Sequence, residues 1–226
     1  MRPGSENRRG IGLLVAALIG FAALPALAQA PAGDTSEEWI KKLAGLDTAP
    51  ELDLAGLKQQ AAERIKAKAE PVPNKRPPMA PGLNKLPQFV AEIQFDEDAA
   101  VMRPDSYRTL GRIADTLTAP SMLGYKFLIV GHTASGGRRD FNLTLSQRRA
   151  DVIRDVLINT FKVSPKRLLA IGLGEEQLLD RAHPNAPANA RFQVMTVGDM
   201  LSGAPEAAQP LPRGLDKKSR KQPHAK

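Results

Sequence analysis

The densest run of chemically competent side chains lies at residues 131–150, GHTASGGRRDFNLTLSQRRA. It offers His132, Thr133, Asp140, Asn142 and Ser146, and closes on the adjacent cations Arg148 and Arg149. The apolar run Phe127-Leu-Ile-Val130 feeds it. A small polar turn with glycines at 131, 136 and 137 follows, and Asp140 or Asn142 can cap the helix that starts there. A buried strand, a tight turn and a helix start with paired arginines make a ligand cradle. Catalysis is a poor reading of the same residues. His132, Ser135, Ser146 and Asp140 include the types of a nucleophilic triad, but no G-x-S-x-G elbow orients them. His132, His183 and His224 lack metal-ligand spacing, and the chain has no cysteine. GLGEE at Gly172 lacks the lysine and hydroxyl residue of a phosphate-binding Walker loop. These residues predict a non-enzymatic binding protein with no cofactor and no metal.

The elements that must position the cradle follow from periodicity. Residues 89–95 (FVAEIQF) alternate as a strand with Phe89, Ala91, Ile93 and Phe95 on one face, followed by the acidic loop Asp96-Glu97-Asp98. Pro104 opens a helix whose buried stripe is Tyr107, Leu110, Ile113, Ala114 and Leu117, ended by Pro120. Residues 125–130 form a strand with too few polar positions for a half-solvated face, so it is central. The helix after the cradle turns Leu145, Ile153, Val156, Leu157 and Phe161 inward. Residues 167–171 and 191–197 are the last two strands, joined by a loop that runs to Pro187. Strand-helix-strand-helix-strand-strand predicts an α/β (α+β) two-layer sandwich, with a four-stranded mixed sheet and helices on one face.

Residues 1–28 read as a signal peptide, from Met1 through a cationic start and an apolar run to the small-x-small pattern Ala26-Leu27-Ala28. Cleavage after Ala28 is the expected outcome, with an uncleaved membrane anchor as the alternative. Residues 29–85 form an N-terminal helical and proline-rich linker region. Ser36 caps a short helix carrying Trp39, Ile40 and Leu43. A second helix with a Leu54, Leu57, Ala61 and Ile65 stripe can dock on the domain, pair with a partner or act as a spacer, the spacer being the commonest fate. The proline-rich residues 71–82 read as an extended domain boundary. The compact domain is residues 86–198, and residues 199–226 are a basic tail read as disordered. Charge is local. The formal net charge is +8, yet residues 86–198 hold fourteen Lys and Arg against twelve Asp and Glu. The basic arms suit an anionic membrane surface or cell-wall polymer, and the exported address argues against nucleic acid.

Four pieces in order carry a family resemblance: the first strand with IQFDEDAAVMRP, GHT after the second, NLTLSQRRADVIRDVL opening the second helix, and RLLAIGLGEE leading to NARFQV. Residues 90–197 resemble the OmpA-like peptidoglycan-binding domain found in outer-membrane protein A, peptidoglycan-associated lipoprotein and flagellar-motor stator proteins. The resemblance implies non-covalent binding of peptidoglycan at the diaminopimelate of its stem peptide. In the family an aspartate directly after GHT pairs with the ligand's ammonium, and an arginine in LSxxRA pairs with its carboxylate. Arg149 falls on the arginine position; Ala134 occupies the aspartate position. A second departure replaces the family's NRRV by Asn189-Ala190-Arg191-Phe192.

Arginine supplies a planar fork that can hold a carboxylate by two hydrogen bonds, whereas alanine supplies nothing to an ammonium. Loss of a well-placed charged contact costs about 2–5 kcal/mol, so binding should be weak unless Asp98 or Asp140 substitutes. The expected site is Arg149 as carboxylate anchor, with Asn142, Thr133, Ala134 and Asp98 around it. The expected protein is a periplasmic or cell-envelope peptidoglycan binder. The alternative is a degenerate domain that serves as a protein–protein adaptor through its helical N-terminal arm.

Overall fold

A computed structural model describes residues 35–46, 50, 52–66 and 72–200. The signal peptide, its cleavage point and the tail beyond residue 200 lie outside the described residues. The elements are α1 (Ser36–Leu43), α2 (Leu54–Lys66), β1 (Gln88–Ala91), α3 (Ser106–Thr118), β2 (Tyr125–His132), α4 (Arg139–Asn159), β3 (Leu168–Gly174) and β4 (Phe192–Asp199). The sheet order is β1-β4-β2-β3, with β2 and β3 parallel and β4 antiparallel to both β1 and β2. This is the expected mixed four-stranded sheet, and β2 is central as its unbroken apolar run requires.

One face of the sheet packs on α1, α3 and α4. Phe89, Ala91, Phe127, Ile129, Phe192 and Val194 meet Leu110, Ile113, Leu117, Ile153 and Leu157 there. The predicted α3 stripe holds except at Tyr107, which is 44% exposed at the end of the helix. The first strand is shorter than its alternation suggests. Beyond Ala91 no β4 residue remains to pair with, and the Gln94 amide and carbonyl turn instead to the Ser106 hydroxyl and the Arg103 amide. Ile93 stays buried although it has left the ladder.

The opposite face is not bare. Leu128, Val130, Ile171, Leu173, Met195 and Val197 are covered by Ala61 of α2 and by Met79, Ala80 and Leu83. The spacer reading of α2 and the extended-boundary reading of the proline-rich stretch are therefore corrected. Two apolar side chains from β2 and two from each of its neighbours β3 and β4 are taken out of water when Met79, Ala80 and Leu83 close over them, and polar bonds fix the cover. The Met79 amide donates to the Glu176 carbonyl, and the Ala80 amide to Gln177 Oε1 at 3.0 Å.

The N-terminal helix docks as well. Trp39 stacks on Phe89 with centroids 4.3 Å apart, and the Thr196 hydroxyl donates to the Leu43 carbonyl at 2.8 Å. Its cap is Thr35 rather than Ser36. A capping box needs its hydroxyl three residues before Glu38, and Thr35 Oγ1 accepts from the Glu38 amide while Glu38 Oε2 accepts from the Thr35 amide.

Helix α4 lies unusually close to the sheet. A β-carbon on Gly172 would fall 2.0 Å from the Gln147 amide nitrogen, and one on Gly131 would fall 2.6 Å from the Ser146 carbonyl oxygen. Gln147 Oε1 accepts from the Gly172 amide at 2.9 Å, and Ser146 Oγ accepts from the Gly174 amide at 2.8 Å. These contacts set the height of α4 over the ends of β2 and β3, and with it the geometry of the cradle.

Candidate functional site

The start of α4, the turn after β2 and the loop after β1 enclose a cleft of about 800 Å³. Asp98, Asp140, Arg138 and Arg148 line it with charges of both signs, and Ala99, Phe141 and Leu145 supply apolar wall. Asp98 adopts a left-handed backbone, φ 51°, which aspartate tolerates better than bulkier residues. Among the described residues it makes no ion pair. Asp140 is engaged by Arg138, whose guanidinium holds the carboxyl below the usual carboxylate range.

Arg149, unlike Arg148, is not in the lining of this cleft; it does a structural job on the loop that walls it. Its Nε donates to the Ala99 carbonyl at 2.8 Å and an Nη to the Asp96 carbonyl at 2.9 Å, with the guanidinium 5.3 Å over the Phe95 ring. One edge of the fork thus clamps the loop that carries Asp98. The other Nη makes no hydrogen bond among the described residues. Burial pulls the Arg149 pKa down from its ordinary value and the Asp98 charge opposes that pull, which places the two charges in one electrostatic neighbourhood.

Asn142 does not cap α4. Arg138 holds the cap position without a side-chain bond, and Asn142 sits in the first turn with Nδ2 directed at Gly136 O (2.7 Å), Glu175 Oε2 (2.9 Å) and Ala134 O (3.4 Å). It fixes the turn after β2. Ala134 contributes its carbonyl to that arrangement. Thr133 is buried; its amide donates to the Gly174 carbonyl at 2.9 Å, while its hydroxyl has no partner among the described residues. His132, beside it, is neutral. Burial and then the Arg191 guanidinium push it down to about 3, against the opposing hydrogen bond with Gln193. Gln193 Nε2 donates to Gln88 Oε1, so its carbonyl oxygen accepts from His132 Nε2–H at 2.7 Å, which leaves Nδ1 as a bare acceptor.

Sequence reasoning missed the polar network beneath the cleft. Glu175 and Glu176 are buried where β3 ends. Arg139 grips Glu176 by two hydrogen bonds of 2.6 Å, Arg64 of α2 and Arg76 approach the same carboxylate at 3.5 and 3.6 Å, and Arg76 pairs with Glu175 at 2.8 Å. Glu175 then reaches Asn142. The N-terminal region is therefore wired to the turn that shapes the cleft. The only available hint was an acidic pair directly after an apolar GLG run.

The turn after β2 and the start of α4, set by the parallel pairing of β2 with the edge strand β3, thus border a cleft lined by charges of both signs. Residues 94–191 match the OmpA family, and this chain carries an OmpA-like domain. Outer membrane porin F of Pseudomonas aeruginosa is 33% identical over 98 residues, 43% of this chain and 27% of that protein. A peptidoglycan-associated lipoprotein of Mesorhizobium japonicum is 36% identical over 85 residues, 38% of this chain and 49% of that protein. The solved peptidoglycan-associated lipoprotein of Burkholderia pseudomallei is 27% identical, covering 47% of this chain and 88% of that one, with a TM-score of 0.38. The chain spans between about a quarter and a half of the curated relatives it matches. Among the described residues no helix is long and apolar enough to cross a membrane.

Proposed function

We propose that this is an exported envelope protein whose OmpA-like domain binds peptidoglycan non-covalently, through the diaminopimelate of the stem peptide, in the cleft between the β1–α3 loop and the start of α4. The observation that carries the reading is the state of Arg149. One edge of its guanidinium holds the loop, and the other keeps donors for a carboxylate, the geometry a bidentate seat needs. Asp98 then takes the ammonium in place of the acid missing at Ala134. It lies on the loop that Arg149 clamps, lines the cleft and makes no ion pair among the described residues, whereas Asp140 is already paired with Arg138. Exposure of Asp98 makes that half of the clamp weak, because an ion pair open to water contributes only about 0–1 kcal/mol.

Co-sedimentation of the full chain with purified sacculi tests the reading. Wild type should pellet, Asp98→Asn and Arg149→Ala should pellet less, and Ala134→Asp should pellet more. Arg149→Ala also removes the loop clamp, so a thermal melt must accompany it. If wild type stays in the supernatant while Ala134→Asp pellets, the adaptor alternative replaces this one. Pelleting that ignores Arg149→Ala and vanishes in high salt assigns attachment to the basic arms.

A further inference from the structure

A groove lies along the β1 edge of the sheet, and none of its lining residues lines the cleft. Strand β1 is an edge strand: β4 lies on one side of it and, among the described residues, no strand lies on the other. The Thr196 amide donates to the Pro87 carbonyl, so the ladder to β4 uses Pro87, Phe89 and Ala91. By the alternation of an antiparallel pair, the amide and carbonyl of Val90 point away from the sheet. Beside them is a groove of about 620 Å³, walled by Val90, Glu92, Leu179, Pro187, Ala188 and Arg191. Val90 and Leu179 are 48% and 61% exposed.

Arg191 gives this groove its chemistry. It is 6% exposed, and no carboxylate of the described residues lies within ion-pair distance of it. Among the described residues its Nη groups reach only the carbonyls of Gln177 at 3.1 Å and Asn189 at 3.4 Å, and its Nε has no partner. Burial lowers its pKa to about 10, which still leaves it charged at neutral pH. Buried guanidinium groups are costly without an anion, because five N–H donors have left water for too few acceptors. The other buried arginine with carbonyl partners alone, Arg167, differs: three carbonyls and the Phe127 ring surround it.

We infer that the β1 edge is a docking site for an extended polypeptide segment bearing an acidic side chain, which adds as a fifth strand beside Val90 and sets its carboxylate on Arg191. Strand addition satisfies the outward amide and carbonyl of Val90, the exposed apolar walls take alternate side chains, and the carboxylate completes Arg191. A small free anion would use the arginine but neither the open ladder nor the apolar walls. Glu92, the one acid of the wall, is exposed and disfavours an occupant that is acidic along its whole length.

The test is an NMR titration of the 15N-labelled full chain with acetyl-Thr-Val-Glu-Val-Thr-amide and with its glutamine twin. The expected result is a set of shift changes centred on Val90 and Glu92, with the glutamine twin at least about tenfold weaker, the ratio worth about 1.4 kcal/mol. Val90→Pro removes the outward donor without touching the β4 ladder, an edge position that tolerates proline, and should abolish binding. Equal affinity of the twins, shifts centred on Asp98 and Arg148, binding unaffected by Val90→Pro, or no binding of either peptide at about 1 mM overturns the inference.

Discussion

Replacing Glu176 by glutamine tests whether the N-terminal region is part of the folded domain. The Glu176 side chain is 1% exposed and is shared by Arg139, Arg64 and Arg76, which are themselves 12–24% exposed. Glu176→Gln keeps the shape and removes the charge. Breaking a buried ion pair from one side costs about 3–5 kcal/mol. The partial exposure of the three arginines lets water recover some of that, so the lower end, about 3 kcal/mol, is the better expectation. With a urea slope of about 2 kcal/mol per molar, the unfolding midpoint should fall by about 1.5 M. Amide exchange in α2 should rise at the same time, since Arg64 and the Arg64 carbonyl bond to Arg139 anchor that helix. A midpoint shift under about 0.3 M, with α2 exchange unchanged, would refute the claim that this carboxylate joins α2 and the cleft.

Two further outcomes follow from the packing and from the buried imidazole. Gly172→Ala sets a β-carbon against the backbone of α4, so it should cost about 3 kcal/mol and lower the melting temperature by roughly 10 °C; an unchanged melt would show that α4 can lift without cost. His132 is neutral when folded down to about pH 3 and takes up its proton near 6.5 when unfolded, so the unfolded state binds more protons between those values. Its contribution is fully present above about pH 6.5 and is lost as pH falls, at about 1.4 kcal/mol per pH unit. Urea midpoints measured from pH 6.5 to 4 should fall more steeply for wild type than for His132→Gln, and parallel curves would contradict the assignment.

The strands and the α3 and α4 faces were legible because alternation and helical spacing report burial directly: Phe89, Ala91 and Ile93 are buried as their spacing predicts, even though β1 ends at Ala91. Arg149 was legible through its motif, not its physics; nothing local says that it would clamp the carbonyls of Asp96 and Ala99. Asn142 was legible only as a cap or a loop-fixing residue, because the two roles share one residue type at nearly one position; it fixes the loop. Docking of α2 was one of three open alternatives, since a narrow apolar stripe fits a spacer as well as a docked helix; the share of Met79, Ala80 and Leu83 in the cover was not legible, because a proline-rich stretch reads as an extended linker. The Glu175 and Glu176 network was invisible. A buried carboxylate looks like an exposed one in sequence, and Arg76 lies 99 positions from the Glu175 it holds.

The central claim is that Arg149 reads a carboxylate in the cleft. Titration calorimetry with a soluble stem peptide containing diaminopimelate, and with the same peptide containing lysine, isolates that group, because the two differ by one carboxylate. The account predicts that wild type favours the diaminopimelate peptide by about tenfold or more, and that Asp98→Asn weakens both peptides alike. Equal affinity of the two peptides for wild type would contradict it.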